Sequence, residues 1–573
     1  MSMGAYKGKE QLVIGMDVGT TMLSFSHLRD GDEPRVNMIM RWPGQPAAGG
    51  DCKLPTLVRY DGNGRALLFG RAAQTNEDDL EDTYLAKWFK LWLHPSSMRR
   101  QFNLTPPPLP PNVTVKDIYA DFLRFLFNHT RGWLEETIGG NLRDSLWTRF
   151  ESTFVLCLAI PNGWDDSQQC AMSRLSFVSE AEASVHFAIA HAGIGTWLRA
   201  DSAFIVTDAG GSTVDTVIYK CTSAEPTLAL EEATASECVQ AGSAIVDQAA
   251  EQLFKKKLRQ SKFDDPDTLE AMVNDFEQNA KREFDGDSAL VKTGTNFTDR
   301  PRNITKGRLR LTRRLQRRTR AVFLGPMNAI ADSIDRAVRR AGRQCDALLI
   351  VGGFAESPRL KSLLRDRLSA QNIRLITIDQ PTKKAAAEGS AYWYAKRFVV
   401  ARAARKSYGV ACSVGFDSSL AAHQARAHTA FTNLAGNKRI TGHFDLLVTK
   451  NQIVQNDANV RIPYYKLSRK KPQFADFHAK LLCIDDENPG YWCRNEQGYL
   501  LSGFEHTLTL KADLSGLQRT LKPHIDLVTG QTYWRVNYAV EVFFGQTMIC
   551  ASVVWEEDGQ TKKGPVSVIA YSV

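Results

Sequence analysis

The chain has 573 residues, of which 43% are apolar and 24% are charged, and its formal net charge is +9. The length exceeds the roughly 100–200 residues of one domain and predicts several packing units, while the composition excludes a disordered or fibrous protein. No apolar run reaches the length of a membrane span, about 18 residues, and residues 1–10 lack the apolar stretch of a secretory signal, so a cytoplasmic protein without a membrane anchor is expected.

Hydrophobic periodicity and turn residues predict the elements of the N-terminal part in chain order. Apolar runs separated by glycine-rich turns predict strands, and longer patterns with a helical period predict helices. The predicted elements are strands over 12–15 and 23–28, a hairpin over 57–69, a helix over 114–127, a strand over 154–160, a helix over 167–177, strands over 203–207 and 214–219, helices dominating 245–343, a strand over 348–351 and a helix over 358–368.

The remainder of the chain changes character near Arg402. From about Tyr408 helical periodicity fades, and runs of alternating apolar residues, typical of strands with one buried face, take over. The predicted strands are 444–448, 460–465, 506–510, 533–544, 547–555 and 566–571. A β-sandwich or a related all-β domain fits this pattern.

Two of the predicted hairpins share a glycine-rich turn that follows an aspartate. The turns are Asp17-Val18-Gly19-Thr20-Thr21 and Asp208-Ala209-Gly210-Gly211-Ser212-Thr213. Glycine lacks the Cβ that would keep phosphate oxygens away from backbone N–H groups, and carboxylates on opposite sides of the phosphates suit a hydrated Mg²⁺. One such turn is more often an ordinary hairpin, but the pair, with a third segment at Val351-Gly352-Gly353, predicts a duplicated phosphate clamp.

Three segments resemble motifs of the 70-kDa heat-shock chaperone family. Ile14–Thr21 and Asp208–Asp215 resemble its two phosphate motifs, and Val351–Pro358 resembles its adenosine motif, in the form found in the divergent twelfth subfamily with its fungal relatives. The resemblance implies a two-lobed α/β fold of the actin-like ATPase type, followed by a β-rich, sandwich-like domain that binds substrates. This chain departs from the family in that no long helical pattern follows the β-rich segment, so a helical lid is not expected. The implied domains are 1–400, with lobes of about 1–200 and 201–400, and 401–573.

The resemblance implies nucleotide-binding roles for residues in all three segments. Asp17 and Asp208 would act on Mg²⁺ through its water shell, and Thr20 and Thr21 would bind phosphate. The implied nucleotide-binding residues are Asp17, Gly19, Thr20, Thr21, Gly210, Gly211, Ser212, Lys281, Arg282, Gly352, Gly353 and Phe354. The implied ligands are ATP or ADP together with Mg²⁺.

Four residues carry the implied hydrolysis of ATP. Thr213 would contact the γ-phosphate, Asp208 would act through the metal's water, and Glu180 resembles the carboxylate that helps place the magnesium and the attacking water. The catalytic lysine is expected in Ala86-Lys87-Trp88-Phe89-Lys90. Lys90 is preferred because Phe-Lys-Leu resembles the subfamily, and Lys87 remains an alternative.

The adenosine contacts depart from the typical family pattern. Lys281 and Arg282 resemble the pair that contacts ribose and adenine. After the Gly-Gly pair, typical members have a small hydroxyl residue and an arginine, whereas this chain has Phe354 and Glu356. One half of the adenine sandwich is therefore missing, and stacking of the base on Phe354, with little discrimination between purines, is predicted to replace it.

The expected partners also differ from those of typical members. Ala401–Lys406 is basic where the family has an acidic, leucine-rich linker, which speaks against coupling driven by co-chaperones. A protein or peptide client is expected on the C-terminal β-rich domain. The run Arg302–Arg320 carries nine basic and no acidic residues, but nucleic-acid binding is not expected because no aromatic platform is interleaved with the charge.

The function predicted from these features is that of a chaperone-like protein that binds ATP, hydrolyses it slowly and couples the nucleotide state to protein or peptide binding. One alternative is a non-catalytic protein that uses nucleotide as a switch or scaffold. The other is a sugar or polyol kinase of the same superfold, which would need a catalytic aspartate in the cleft and a sugar pocket. Neither of these is identifiable in the sequence.

Overall fold

The computed structural model describes most of the chain. The described residues are 4–19, 21–44, 53–74, 82–93, 107–137, 146–160, 175–194, 197–225, 227–284, 289–311, 313–378, 381, 384–472, 477–526, 529–543 and 549–569. Within these ranges, no helix has both the length and the apolar character that crossing a bilayer requires.

The N-terminal part contains a five-stranded mixed sheet and a smaller antiparallel sheet. The strands are β1 (Gln11–Asp17), β2 (Met22–Leu28), β3 (Asn37–Met38), β4 (Leu57–Asp61), β5 (Ala66–Phe69), β6 (Thr83–Lys87), β7 (Val155–Ile160) and β8 (Leu175–Ser179). The large sheet has the order β3-β2-β1-β7-β8 and the small one β5-β4-β6. The two predicted hairpins are confirmed, because β1 pairs with β2 and β4 with β5, both antiparallel.

A second large sheet is built from later strands. The next strands are β9 (Ala203–Ala209), β10 (Val214–Ser223), β11 (Ala229–Glu232), β12 (Glu237–Val239), β13 (Ala289–Lys292), β14 (Ile304–Thr305), β15 (Arg308–Leu311), β16 (Ala347–Val351), β17 (Arg374–Ile376) and β18 (Val399–Ala403). The sheet runs β17-β16-β9-β10-β11-β18, with β12 on β10, and ends on Ile453–Gln455 from the C-terminal part. Strands β13, β15 and β14 form a separate small sheet and interrupt the region that was predicted to be mainly helical.

The α-helices have the following bounds in the described part of the chain. They are α1 (Val115–Thr137), α2 (Leu146–Phe150), α3 (Glu180–His191), α4 (Ser243–Leu258), α5 (Pro266–Asp275), α6 (Lys281–Glu283), α7 (Arg313–Ala341), α8 (Pro358–Ser369), α9 (Ala385–Ala395) and α10 (Ala421–Gln424). The helix predicted over 167–177 is wrong at its end, because Leu175–Ser179 is strand β8. Residues 167–174 lie outside the described residues. Burial on both faces of a parallel strand gives a continuous apolar run whose period does not separate strand from helix.

Helices α3 and α9 join the two large sheets. Helix α9, from the second half of the chain, packs on β1 and β2, whereas α3, from the first half, packs on β9 and β10. A Cβ on Gly389 of α9 would lie 1.9 Å from the carbonyl oxygen of Ala183 in α3, so the two helix backbones touch. Each half of the chain thus contributes a helix to the packing of the other half.

The C-terminal part consists almost entirely of strands. They are β19 (Ser407–Gly415), β20 (Phe431–Thr432), β21 (Lys438–Val448), β22 (Ile453–Gln455), β23 (Asn459–Ser468), β24 (Phe477–Ile484), β25 (Phe504–Ala512), β26 (Pro523–Ile525), β27 (Thr532–Phe543), β28 (Ile549–Glu557), β29 (Gln560–Lys563) and β30 (Ser567–Ile569). One antiparallel sheet has the order β20-β21-β19-β24-β25, and the other contains β23-β27-β28-β29. Leu481 and Leu510 of the first sheet share one core with Val540 and Val553 of the second. The strand predictions for this region are confirmed where the residues are described. Residues 544, 547–548 and 570–571 of the predicted strands lie outside the described residues.

The connection into the C-terminal part is itself a strand of the second large sheet. Strand β18 runs parallel to β11 and antiparallel to β22, so a strand from each side of residue 404 enters the same sheet. The change of character near Arg402 therefore falls inside a shared sheet rather than in a free linker.

Candidate functional site

The second and third glycine segments meet because their strands are neighbours. Strand β16 runs parallel to β9 and pairs Val351 with Asp208. The next residue, Gly352, has φ +92, and a Cβ there would lie 2.4 Å from Asp208 Oδ1 and 2.5 Å from the carbonyl oxygen of Ala209. Only glycine fits this close approach.

A buried lysine–glutamate pair brings the first turn to the same place. Lys90 Nζ donates to Glu180 Oε1 at 2.6 Å, and both side chains are more than nine-tenths buried. A Cβ on Gly19 would lie 2.9 Å from Lys90 Nζ, so the ammonium packs against the first glycine turn. The Ser179 hydroxyl accepts from the Glu182 N–H, and this N-cap sets Glu180 as the first residue of α3.

The local sequence explains which of the two candidate lysines is buried. Trp88 adopts φ +54 after strand β6, and the chain then turns into a 3₁₀ helix over Phe89–Leu93 that directs Lys90 inward. Lys87 is exposed, with its Nζ 5.6 Å from the centre of the Trp88 ring. Of the two, Lys90 is the lysine beside the carboxylates.

Asp208 and Asp215 lie opposite each other on the second hairpin. Asp208 Oδ2 accepts from the Ser184 hydroxyl at 2.7 Å. Burial raises the pKa of Asp208 well above its ordinary value, and the nearby Glu180 carboxylate raises it further. Burial, with Glu180, likewise raises the pKa of Asp215 to about 7, and the Cys238 thiol is a polar group that faces it.

The site holds more negative than positive groups. Glu180, Asp17 and Asp215 lie around the Lys90 ammonium, and Asp208 lies near these carboxylates. Burial alone would lower the pKa of Lys90, but the Glu180 and Asp17 carboxylates raise it. Such an excess of hard oxygen donors suits a divalent cation. No three potential ligand side chains among the described residues are close enough to hold an ion directly. Binding of an ion through water by Asp17 and Asp208 stays a prediction.

The second glycine turn is fixed by the start of helix α4. The backbone N–H groups of Ser243 and Ala244 donate to the carbonyl oxygens of Gly210 and Gly211, at 3.2 and 2.8 Å. A Cβ on Gly211 would meet no atom within 4 Å, so this side of the turn is open. Thr213 is buried, and its carbonyl oxygen accepts from the Gly210 N–H at 3.1 Å. Ser212 lies half-buried in the same turn.

Of the two threonines in the first turn, only Thr21 lies within the described residues. Thr21 is fully buried, and its hydroxyl lies 2.6 Å from that of Thr56, which donates to the carbonyl oxygen of Gly19. Thr20 lies outside the described residues. The Thr21 side chain therefore braces the turn, and a direct phosphate contact from it is not evident.

The predicted adenosine residues are not all available to a ligand. Lys281 is buried, and its Nζ donates to both carboxylate oxygens of Asp247, at 2.8 and 2.7 Å. Arg282 is exposed, and the half-buried Gly353 precedes the short helix that begins at Phe354. The segment before Lys281, Phe276–Ala280, is a π-helix, a rare irregularity that is frequent at functional sites.

Phe354 does not offer the predicted stacking surface. Its side chain is 3% exposed and belongs to the apolar core formed with Ile350, Leu360 and Leu364. In this structure the Phe354 ring therefore leaves little surface on which a base could stack. A benzyl group gains more by burial in this core than by facing a polar cleft.

Replacing Phe354 by Leu should lower the free energy of unfolding by about 1–2 kcal/mol, because the smaller side chain leaves part of its core volume unfilled. Urea denaturation measures this loss. The ratio of ATP to GTP affinity in a competition titration should stay unchanged. If the Phe354→Leu variant were as stable as the wild type but had a different ratio of ATP to GTP affinity, Phe354 would contact the nucleotide.

Sequence reasoning missed three polar residues beside the site. Asp215 follows Thr213 by two positions, at the start of strand β10, and Ser184 follows Glu180 by four positions on a helix. These two spacings carried a usable signal. Asp247 carried none, because its pairing with Lys281 joins separate helices.

Buried ion pairs connect the site helix to the strand that leads into the C-terminal part. Glu182, two residues after Glu180, accepts from the guanidinium of Arg402 and from Trp393 Nε1. Glu232 of β11 accepts from the Ala403 N–H at 3.0 Å. The basic segment predicted to speak against coupling is therefore anchored on acidic groups beside the site.

Comparisons with known proteins do not identify the chain. No protein family matches it, and no curated protein sequence is significantly similar to it. Functional inference therefore depends on the geometry and charge of the site.

Proposed function

We propose that the chain binds ATP and ADP with Mg²⁺ and hydrolyses ATP slowly, as a chaperone-like protein of the actin-like ATPase type. The observation that carries the proposal is the meeting of three glycine segments at one buried charge cluster. Gly19 packs against Lys90, Gly352 packs against Asp208, and Gly211 is open. Glycine turns allow a ligand to approach the backbone closely, and carboxylates beside them suit a divalent cation, so this arrangement is suited to a phosphate chain with its metal.

The proposed chemistry uses Glu180 and Lys90 as a pair. The Lys90 ammonium holds the Glu180 side chain in place by donating to Oε1, so a carboxylate oxygen can accept a hydrogen bond from the attacking water and orient it. The same ammonium supplies positive charge where the transferred phosphoryl group becomes more negative. Mg²⁺, when bound through water to Asp17 and Asp208, would neutralise the phosphate oxygens.

The proposed coupling to a client rests on the path from Glu180 to β18. Glu180 and Glu182 lie on the same first turn of α3, and Glu182 is paired with Arg402 at the entrance to the C-terminal sheets. A shift of α3 on nucleotide binding would change this pair. The C-terminal part also exposes aromatic side chains, with Tyr499 72% and Phe431 40% exposed, which supports contacts with a protein or peptide.

A second candidate is a nucleotide-dependent scaffold without hydrolysis. One observation favours it. Lys281 donates to Asp247 and Phe354 is buried, so in this structure neither side chain is placed to contact the base or the ribose. Nucleotide affinity would then come mainly from the phosphates.

The unfolding temperature should rise when Mg·ATP or Mg·ADP is added. At a ligand concentration of 100 times Kd, the free energy of unfolding should increase by about 2.7 kcal/mol. Chelating the metal should remove most of the shift, because the carboxylates then repel the phosphates. Absence of any shift at millimolar nucleotide would contradict the proposal. Phosphate release under single-turnover conditions separates the two candidates, since the scaffold gives a shift without release.

A further inference from the structure

One exposed sheet face carries an unusual concentration of positive charge. In the small sheet of β13, β15 and β14, the side chains of Leu290, Lys292, Arg308 and Arg310 are exposed on one face, while Val291, Leu309 and Leu311 are buried beneath it. The four exposed residues are called the basic face below.

The arrangement of charges on the basic face costs stability. Lys292 lies directly opposite Arg308 in the antiparallel pair, and like charges in that position repel. Lys292 Nζ reaches Asp275 only at 4.0 Å. Among the described residues, no carboxylate is within ion-pair distance of Arg308 or Arg310. The repulsion is therefore largely uncompensated by the part of the chain that the structure describes.

The helix that follows adds a second unfavourable feature. Helix α7 begins at Arg313, two residues after β15 ends, and its first turns contain Arg314, Arg317 and Arg318 with no acidic residue in the first turn. Cations at a helix N-terminus oppose the helix dipole. The sequence therefore continues the positive charge of β15 into the start of α7, and a positively charged surface of this kind attracts an anionic partner.

The basic face is preformed. Strands β14 and β15 are joined by Lys306 and Gly307, whose φ angles of +47 and +67 fit the two-residue turn that matches strand twist. Arg308 and Arg310 are therefore held two residues apart on a regular strand, at a spacing of roughly 6.6–6.8 Å. An extended peptide presents alternate side chains at the same spacing.

We infer that the basic face docks an extended acidic polypeptide segment with carboxylates at alternate positions. Charge complementarity carries this assignment, and Leu290, 42% exposed and opposite Arg310, adds an apolar contact between the cations. The basic face has no aromatic side chain on which a base would stack, which favours a polypeptide over single-stranded nucleic acid.

The test uses the full-length chain and fluorescence anisotropy of a labelled twelve-residue peptide that alternates Glu with Leu. Two matched probes are the same peptide with Gln for Glu and a labelled twelve-nucleotide oligothymidine. The double variant Arg308→Gln/Arg310→Gln is compared with Arg469→Gln/Lys470→Gln, which removes the same charge from exposed positions in the C-terminal part. Leu290→Ser tests the apolar contact.

The acidic peptide should bind the wild type more tightly at low salt, and the Arg308/Arg310 double variant should bind it about tenfold more weakly, a difference of about 1.4 kcal/mol. The Arg469/Lys470 control should stay within about twofold, and Leu290→Ser should lose about threefold. The double variant should unfold at or above the wild-type temperature, because like-charge repulsion is relieved. The inference would be overturned if both double variants lost affinity for the acidic peptide equally, or if the Gln peptide bound as tightly as the Glu peptide. It would also be overturned if the oligonucleotide bound more tightly than the acidic peptide, or if the Arg308/Arg310 double variant were less stable than the wild type.

Discussion

Replacing Lys90 by Met should reduce phosphate release by about 100-fold or more under single-turnover conditions. Lys90 donates to Glu180 at 2.6 Å in a buried place. Loss of a preorganised group that stabilises developing charge typically costs about 10²–10³ in rate. Without the ammonium, the Glu180 side chain would also lose the hydrogen bond that holds it in place to orient water.

The matched control for this prediction is Lys87→Met, which removes the same charge from an exposed side chain three positions earlier. It should leave turnover within about twofold. Nucleotide-induced thermal shifts of both variants show whether binding survives. If Lys87→Met abolishes turnover and Lys90→Met does not, the assignment of the lysine is wrong. If the wild type binds nucleotide without releasing phosphate, the scaffold candidate replaces the ATPase.

Replacing Arg402 by Met should lower the free energy of unfolding by about 3–5 kcal/mol, because it leaves the buried Glu182 carboxylate without its cation. Adding Glu182→Gln should recover most of this loss, since the buried charge is then removed as well. Arg367→Met, at a more exposed ion pair, should cost less than about 1 kcal/mol. Urea denaturation of the four proteins gives the comparison.

The effect of Arg402→Met should depend on pH. Burial alone would raise the pKa of Glu182, but Arg402 outweighs it and holds the pKa below its ordinary value of 4.5. The pair therefore stabilises the fold above about pH 4.5, and this contribution is lost as the pH falls through the lower pKa of the folded state. The difference in the free energy of unfolding between the wild type and Arg402→Met should become smaller in that acidic range. If the difference in the free energy of unfolding stayed constant as the pH fell from 7 through this acidic range, Arg402 would act by packing rather than by charge.

Local patterns in the sequence were enough to predict most strands and the glycine turns. The hairpin of β1 and β2 and the strands of the C-terminal part were predictable because alternation and turn residues act over a few positions. The choice of Lys90 over Lys87 came from a short resemblance, and the burial of Lys90 beside Glu180 agrees with that choice.

Packing between distant segments decided the remaining features. Phe354 lies in a core that it shares with residues of β16, α8 and other elements. The local sequence around Phe354 therefore could not predict that its side chain would be buried. Asp247 and Lys281 became partners across two helices, and Arg402 reached Glu182 although 220 positions separate them. Sequence by itself determined which residues could form turns and carry charge, because those properties are local. The tertiary structure alone decided which charges meet and which side chains are buried, because burial and pairing depend on the free energy of the whole packed arrangement.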